Sequence, residues 1–412
     1  MVSKILGTTI AFEVHNFKHL DCGSLQQSES IALMNNKLRL QVEGWRGISH
    51  SYALVNQFQL LAWAHNPHIE LGHIDVPYFF DTWGKNKNPS GLTEKDQTSI
   101  DQLIPLTEFD AVFRIYSPFN LKPMPSKRTG VFMVTEFGLD VTTVKLEDAP
   151  SLRDEGGFIV TPSNWSKERL LANGLPESIV HVVPHSVDPS YFHPHSAELI
   201  AHQRAALGFR EDEVVLLNVG TQHWAKGMDL LLRAFAIARK THKELRLVLK
   251  DQRNTYTLNT EEFIYQTLSE HGLLSEDVIK AIMMIPVNLS LEELNSLYNI
   301  ADAYVSPYRA EGYNLPAHEA QHCMTPLIVT ANGATQDFAE KGINQFIAGK
   351  QHYNASLKSE IPVNSYIEPD LESLVEIIKK TSRKQFQTIE KKYTPSSWME
   401  CSDKIYKIYQ CK

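Results

Sequence analysis

"VVLLNVGTQHWAKGMDLLLRAFAIARK", residues 214–240, is the stretch that decides the fold. VVLLNV (214–219) is an unbroken apolar run and reads as a strand covered on both faces. A polar loop starts at Gly220, and GMDLLLRAFAIARK (227–240) sets Leu231, Phe235 and Ala238 along one face of a helix. Strand, turn and amphipathic helix in this order make half of a parallel βαβ unit. The alternation continues through LRLVLK (245–250), EEFIYQTLSEHG (261–272), IMMIPV (282–287), SLEELNSLYNIA (290–301), AYVSPY (303–308), LPAHEAQH (315–322) and PLIVTANGA (326–334). Ser290 and Glu293 have the spacing of an N-cap and its capping box.

The same rhythm runs upstream. LRLQVE (38–43) reads as a strand, GWRGI (44–48) as a tight turn and SHSYALVNQFQLLAWA (49–64) as a helix capped by Ser49. HIELGHIDV (68–76) is a second strand, followed by a polar loop rich in Lys, Asn and Gly. DAVFRIYS (110–117), TGVFMVTEF (129–137) and GFIVTPS (157–163) supply further strands, then a helix in NWSKERLLANGL (164–175) and SIVHVVPHSVD (178–188). A chain of 412 residues is too long for one ordinary core. The expectation is therefore α/β, with two Rossmann-like, doubly wound domains facing across a cleft. Residues 1–36 lack a period and read as an extension, and 189–212 lack one too and mark the junction. The expected units are 1–195, 196–390 and a C-terminal segment, 391–412.

Composition excludes several classes. Net charge is −8, so no nucleic acid is expected as partner, and the short basic cluster KPMPSKR (122–128) reads as solvated surface. The four cysteines, at 22, 323, 401 and 411, form no CxxC pair, which fits free thiols in a reducing cytoplasm. MVSKILGTTIAF at the start lacks a small-residue cleavage site and is not read as a signal peptide. No apolar run approaches the roughly 18 residues of a membrane span. The seventeen histidines are scattered; His181 and His185 flank a strand-turn stretch rather than one helix face, and no metal site is expected.

Two loops carry the chemistry. In VGTQHWAKGMD (219–229), Lys226 and Gly227 open a helix, whose unpaired N–H groups and partial positive charge attract phosphate. The Walker spacing G-x-x-x-x-G-K-[ST] is absent. In EGYNLPAHEA (311–320), EGYN makes a turn and LPAHEAQH a helix with Pro316 in its first turn, so Glu311 precedes the turn and Glu319 is expected in the first helical turn. Two carboxylates beside an anion site suit acceptors for the hydroxyl groups of a sugar or ribose.

E-x7-E in EGYNLPAHE, with a strand before it and PLIVT after, resembles the retaining glycosyltransferases of family 4, among the group 1 glycosyltransferases. VTPSNWSKERLLANGLPESIVHVVPHSVDPSYFHP (160–194) is similar to that family's approach to the interdomain linker. NVGTQHWAKGMDLLLRAF (218–235) is similar to its diphosphate turn, and SLEELNSLYNIADAYVSPYRAEGYNLPAHEA (290–320) to its donor site. The likeness covers most of residues 157–333 and is weak over the first 150. It implies the GT-B fold, a C-terminal helix in SSWMECSDKIYKIYQ (396–410) crossing back onto the first domain, and closure of the two domains over the donor.

By that resemblance the chain would move a hexose from a nucleotide-diphosphate sugar, UDP-linked in preference to GDP-mannose, with retention and without metal or other cofactor. The acceptor would be a sugar, glycan or lipid-linked hydroxyl bound by the first domain, a class that allows peripheral contact with a membrane. Glu311 would hold the hexose near its 3-hydroxyl and Glu319 the ribose. The backbone of Gly312, Tyr313, Asn314 and Leu315 would meet sugar and phosphate, and Lys226 would offset charge on the departing diphosphate. The base would lie near Val287 and Lys250, with Gly220 in the diphosphate turn. Thr221 stands where the family has arginine; Arg46, in the turn ending at Gly47, is expected to take over, with Arg309 as the other option. Glu136 stands where the family commonly has histidine, and it would touch the sugar or act as base toward the acceptor. Trp45, Trp63, Tyr78 and Trp83 are candidates for stacking on an acceptor sugar. A glycoside hydrolase, a non-catalytic nucleotide-sugar binder and a nucleotide-sugar epimerase are the competing readings.

Overall fold

The computed structural model describes residues 37–48, 50–80, 83, 91–139, 144–221, 224–251, 259–339, 342–354, 364–384 and 397–411. The 1–36 extension, Ser49 and Cys22 lie outside the described residues.

The apolar runs form two parallel sheets. The first contains β1 (Leu38–Gly44), β2 (Ile69–Asp75), β3 (Ala111–Ile115), β4 (Arg128–Phe132), β5 (Phe158–Thr161) and β6 (Val180–Val182), in the order β2-β1-β3-β4-β5-β6. The second contains β7 (Val214–Val219), β8 (Leu245–Lys250), β9 (Ile282–Ile285), β10 (Ala303–Ser306), β11 (Leu327–Thr330) and β12 (Gln345–Ile347), in the order β12-β11-β10-β7-β8-β9. All pairings within the two sheets are parallel. A parallel sheet needs both faces covered, which is why β7 reads VVLLNV without alternation. Strand order reverses between β1 and β3 and between β7 and β10, and the crevice outside the carboxyl ends of such strands is where doubly wound sheets bind ligands. An antiparallel pair, β13 (Gly349–Asn354) and β14 (Asn364–Pro369), lies outside both sheets.

Three elements differ from the expectation. The first long helix, Ser51–Ala64, is capped by His50, whose side chain accepts from the Tyr52 N–H. Helix Ala197–Ala206 occupies the stretch taken as aperiodic junction; only Ile200 and Arg204 are buried, too few to mark an apolar stripe. Helix Glu94–Asp101, capped by Thr93, sits in the segment read as polar loop and buries Ile100 alone. Both stand on caps and tertiary contacts rather than on amphipathic pattern.

The C-terminal helix, Trp398–Gln410, carries a capping box between Ser397 and Glu400. It docks on the Ser51–Ala64 helix, with Trp398 stacked on Phe58 at 5.4 Å, while the Tyr409 hydroxyl donates to the Val112 carbonyl at 2.6 Å. Such an aromatic pair adds about 1 kcal/mol beyond its buried area. Among the described residues no helix is long and apolar enough to cross a membrane. Cys323, Cys401 and Cys411 form no disulfide among the described residues.

Candidate active site

The two sheets point their carboxyl ends at a shared cavity of about 350 Å³, walled by His50, Tyr52, Val134 and Glu136 on the first-sheet side and by Gly220, Thr221, Lys226 and Glu311–Pro316 on the second. A larger cavity, about 1060 Å³, lies between Pro194 and Lys384 near the Leu371–Lys380 helix and holds none of the site residues expected from the sequence.

Backbone packing makes the second wall rigid. After β7 the chain turns through a short 3-10 segment, Trp224–Lys226, and Gly227 opens helix Met228–Arg239 with φ of 67°. A Cβ at Gly227 would sit 1.8 Å from the Pro307 carbonyl oxygen, so only glycine lets the helix start press against the end of β10. The Arg309 N–H donates to the Ala225 carbonyl at 2.7 Å, closing the two loops on each other. Lys226 and Glu311 therefore meet: Nζ lies 2.8 Å from Glu311 Oε1. Helix Leu315–His322 begins at Asn314, whose φ is 71°. Its amide donates to Ser306 Oγ at 3.0 Å and its oxygen accepts from the Ala317 N–H at 3.3 Å, tying the turn to β10.

The first wall comes down on this one through many contacts, the Tyr313 hydroxyl on the His185 carbonyl at 2.8 Å and the Asn164 N–H on Asp337 at 2.6 Å among them. Val134 presses on Gly312, where a Cβ would lie 2.2 Å from Val134 Cγ2, and Ser163 Oγ donates to the Gly312 carbonyl at 2.6 Å. Glu136 Oε1 takes the other side of Lys226 Nζ at 3.0 Å. One ammonium thus serves two carboxylates, one from each domain. Burial works against the Lys226 charge, but Glu136 and Glu311 outweigh it and hold the ammonium above its ordinary range. Burial pushes the Glu311 carboxyl up to about 7, against the pull of Lys226 and with reinforcement from Glu136.

Not every expected residue reaches the cavity. Glu319 is the fifth residue of its helix, beyond the first turn, and its Oε2 accepts from the Tyr298 hydroxyl at 2.6 Å; burial raises this carboxyl to about 7. Arg46 is drawn off by Asp75, with contacts of 2.8 and 2.9 Å, and its remaining nitrogen donates to the Ile100 carbonyl. Arg309 is held by Asp229 and Glu368 and lies 4.8 Å from the Trp224 ring, bracing the turn from below. Neither arginine lines the cavity. Gly47, with φ of 77°, donates its N–H to Gln57 Oε1 instead, and Lys250 donates to the Asp251 carbonyl, with burial lowering its pKa. Val287 is 56% exposed and apart from the cavity. Trp45, Trp63 and Trp83 are core residues, and the Tyr78 hydroxyl donates to the Arg46 carbonyl.

His50 and Tyr52 were not singled out. The signal for them is topological: the first residues after the β1 turn must face the switch point, whatever their type. The Tyr52 hydroxyl is pushed above its ordinary range by burial.

Residues 200–361 match the profile of the family described as "Glycosyl transferases group 1". The D-inositol 3-phosphate glycosyltransferase 1 of Catenulispora acidiphila is 31% identical over 170 residues, 40% of this chain and 38% of that protein. The chain spans only about a third of the length of the first curated relatives it matches, between 34% and 38%. Among solved structures, Anabaena HepE in complex with UDP and glucose covers 90% of this chain and 97% of its own at 12% identity, with a TM-score of 0.56. A glycosyltransferase from Rickettsia africae covers 91% and 94% at 13% identity, with a TM-score of 0.59. The fold is GT-B, and residues 200–361 match the group 1 glycosyltransferase family model.

Proposed function

We propose that the chain is a retaining hexosyltransferase that takes its sugar from a nucleoside-diphosphate donor, UDP-linked in preference to GDP-linked, and gives it to a hydroxyl of a sugar, glycan or lipid-linked acceptor without a metal. The observation that carries this reading is Lys226, fixed by backbone packing at the mouth of the β7 turn and 2.8 Å from Glu311. The UDP and glucose held by HepE support the choice of donor class.

In this reading the diphosphate takes Lys226 from its carboxylates, and the ammonium offsets the charge that grows on the leaving phosphate as the glycosidic bond breaks. Glu311, released from the lysine, accepts a hydrogen bond from a hexose hydroxyl. Glu319, outside the cavity lining while it holds the Tyr298 hydroxyl, serves the ribose once domain closure brings ribose hydroxyls in place of that donor. Acceptor binding falls to the first domain.

Calorimetry with UDP, GDP and ADP, followed by a panel of their sugars, tests the reading. At least one diphosphate should bind and its sugar should be consumed with an acceptor present. Release of sugar from nucleotide-free glycans would point to a hydrolase, conversion of the donor alone to an epimerase, and binding without turnover to a sugar-nucleotide binder.

A further inference from the structure

Thr221 leaves the diphosphate turn without the arginine it resembles having, and Arg46 and Arg309 are both committed elsewhere. The cavity wall opposite Lys226 holds one more directed donor. His50 Nδ1 accepts the Tyr52 N–H at 3.2 Å as the cap of helix Ser51–Ala64. A ring nitrogen that accepts carries no proton, so the neutral ring keeps its proton on Nε2. Trp83 at 4.9 Å, Trp45 at 5.4 Å edge-on and Tyr52 at 5.6 Å clamp the ring in place. His50 lines the cavity, and among the described residues no hydrogen bond takes up Nε2.

The surroundings keep this donor uncharged. Burial first, and the Lys226 ammonium second, lower the imidazole to about 4. Glu136 and Glu311 also face the cavity, but both lean on Lys226. A ring locked in one tautomer can give a hydrogen bond and cannot take one, which makes it a poor base and a poor mate for a hydroxyl that must also donate. Phosphate oxygens only accept, and they suit it.

We propose that His50 donates its Nε2–H to an oxygen of the donor's diphosphate, from the first domain and across the cavity from Lys226. This rests on the nucleotide-sugar reading above. His50 is then a binding residue that also makes donor affinity depend on closure, since its partner lysine belongs to the other domain.

The test is calorimetry on the full chain with UDP, GDP and ADP and with the corresponding monophosphates, for the wild type, His50→Asn and His50→Phe. Asparagine keeps a capping acceptor, so the fold is spared, and its shorter side chain draws the remaining N–H donor back from the position of Nε2. Whichever diphosphate the wild type binds should weaken by about tenfold or more in His50→Asn, the size of one hydrogen bond to a charged group, while its monophosphate changes less than about twofold. His50→Phe should show the same selectivity with a lower melting temperature. Unchanged diphosphate affinity in His50→Asn overturns the assignment and leaves the nucleotide-sugar reading standing, as does equal weakening of both ligands. A wild type that binds no nucleoside diphosphate overturns that reading, and the role of His50 falls with it.

Discussion

The two walls of the cavity are made the same way, from turns at the carboxyl ends of parallel strands, but they are held differently. The second wall is self-supporting: Gly227 against Pro307, Arg309 N–H on Ala225 and Asn314 on Ser306 fix Lys226 and Glu311 by backbone geometry within one domain. The first wall reaches it through contacts scattered over separate segments: Val134 on Gly312, Ser163 on the Gly312 carbonyl, the Tyr313 hydroxyl on His185, Asn164 on Asp337 and the Glu136–Lys226 ion pair. A wall preformed within one domain suits binding that must be fixed before reaction, and one whose contacts all cross to another domain suits closure over a ligand. The difference separates a holding side from a closing side.

Lys226 belongs to both, and its removal should have the largest effect. Lys226→Ala should lower turnover by about 100- to 1,000-fold at saturating donor, the scale of losing one group that stabilises developing charge. Steady-state kinetics with a nucleotide sugar checks this. A loss below about tenfold would mean that the preformed wall is scaffolding and that the charge is met elsewhere.

Glu319 probes the holding side alone. Its carboxyl is raised to about 7 by burial, above the value of an unfolded glutamate. The native state therefore binds this proton more tightly than the unfolded chain. The stabilisation is fully present below the unfolded pKa, and it is lost as pH rises through about 7. Glu319→Gln stays neutral and can still accept from Tyr298. Relative to the wild type it should gain up to about 3 kcal/mol between pH 4.5 and 8, visible in thermal melts across that range. A constant offset between the two curves would show that the carboxylate is already ionised in the fold.

The same contrast explains what the sequence disclosed. The second wall was legible because each of its parts is a short contiguous motif: β7 with its turn, Lys226-Gly227, and EGYNLPAHE before a helix. Local rules about strands, glycine and helix starts apply within a dozen residues. The first wall has no such segment. His50 follows β1, while Val134 and Glu136 follow β4, and only the folded sheet brings those two strand ends to one wall. Arg46 shows the limit well. Its turn was placed correctly at the end of β1, but Asp75, a neighbour only through the β1–β2 pairing, captures the guanidinium. Glu319 was missed for a plainer reason: the helix starts at Leu315 as expected, and a fifth residue already lies beyond a first turn of 3.6 residues. The helices Glu94–Asp101 and Ala197–Ala206 stayed hidden because they bury too little to show a period.

The smallest effect should come from the tether itself. Glu136 is 36% exposed at its side chain, and Lys226 is 20% exposed, so their contact is screened by water and worth about 0.2–1 kcal/mol. In the absence of donor this carboxylate occupies the ammonium that a diphosphate needs, and its own negative charge repels that ligand. Glu136→Gln removes the repulsion and loosens the hold on Lys226, although Glu311 still competes for it. Nucleoside diphosphate should therefore bind tighter by about two- to fivefold, with the gain shrinking as salt is raised. Calorimetry at two ionic strengths measures both. Weaker binding would show that Glu136 holds Lys226 where the phosphate needs it, making the tether part of the holding side and removing the distinction between the two walls. A fall in turnover of more than about tenfold with tighter binding would instead make Glu136 the group that takes the acceptor's proton.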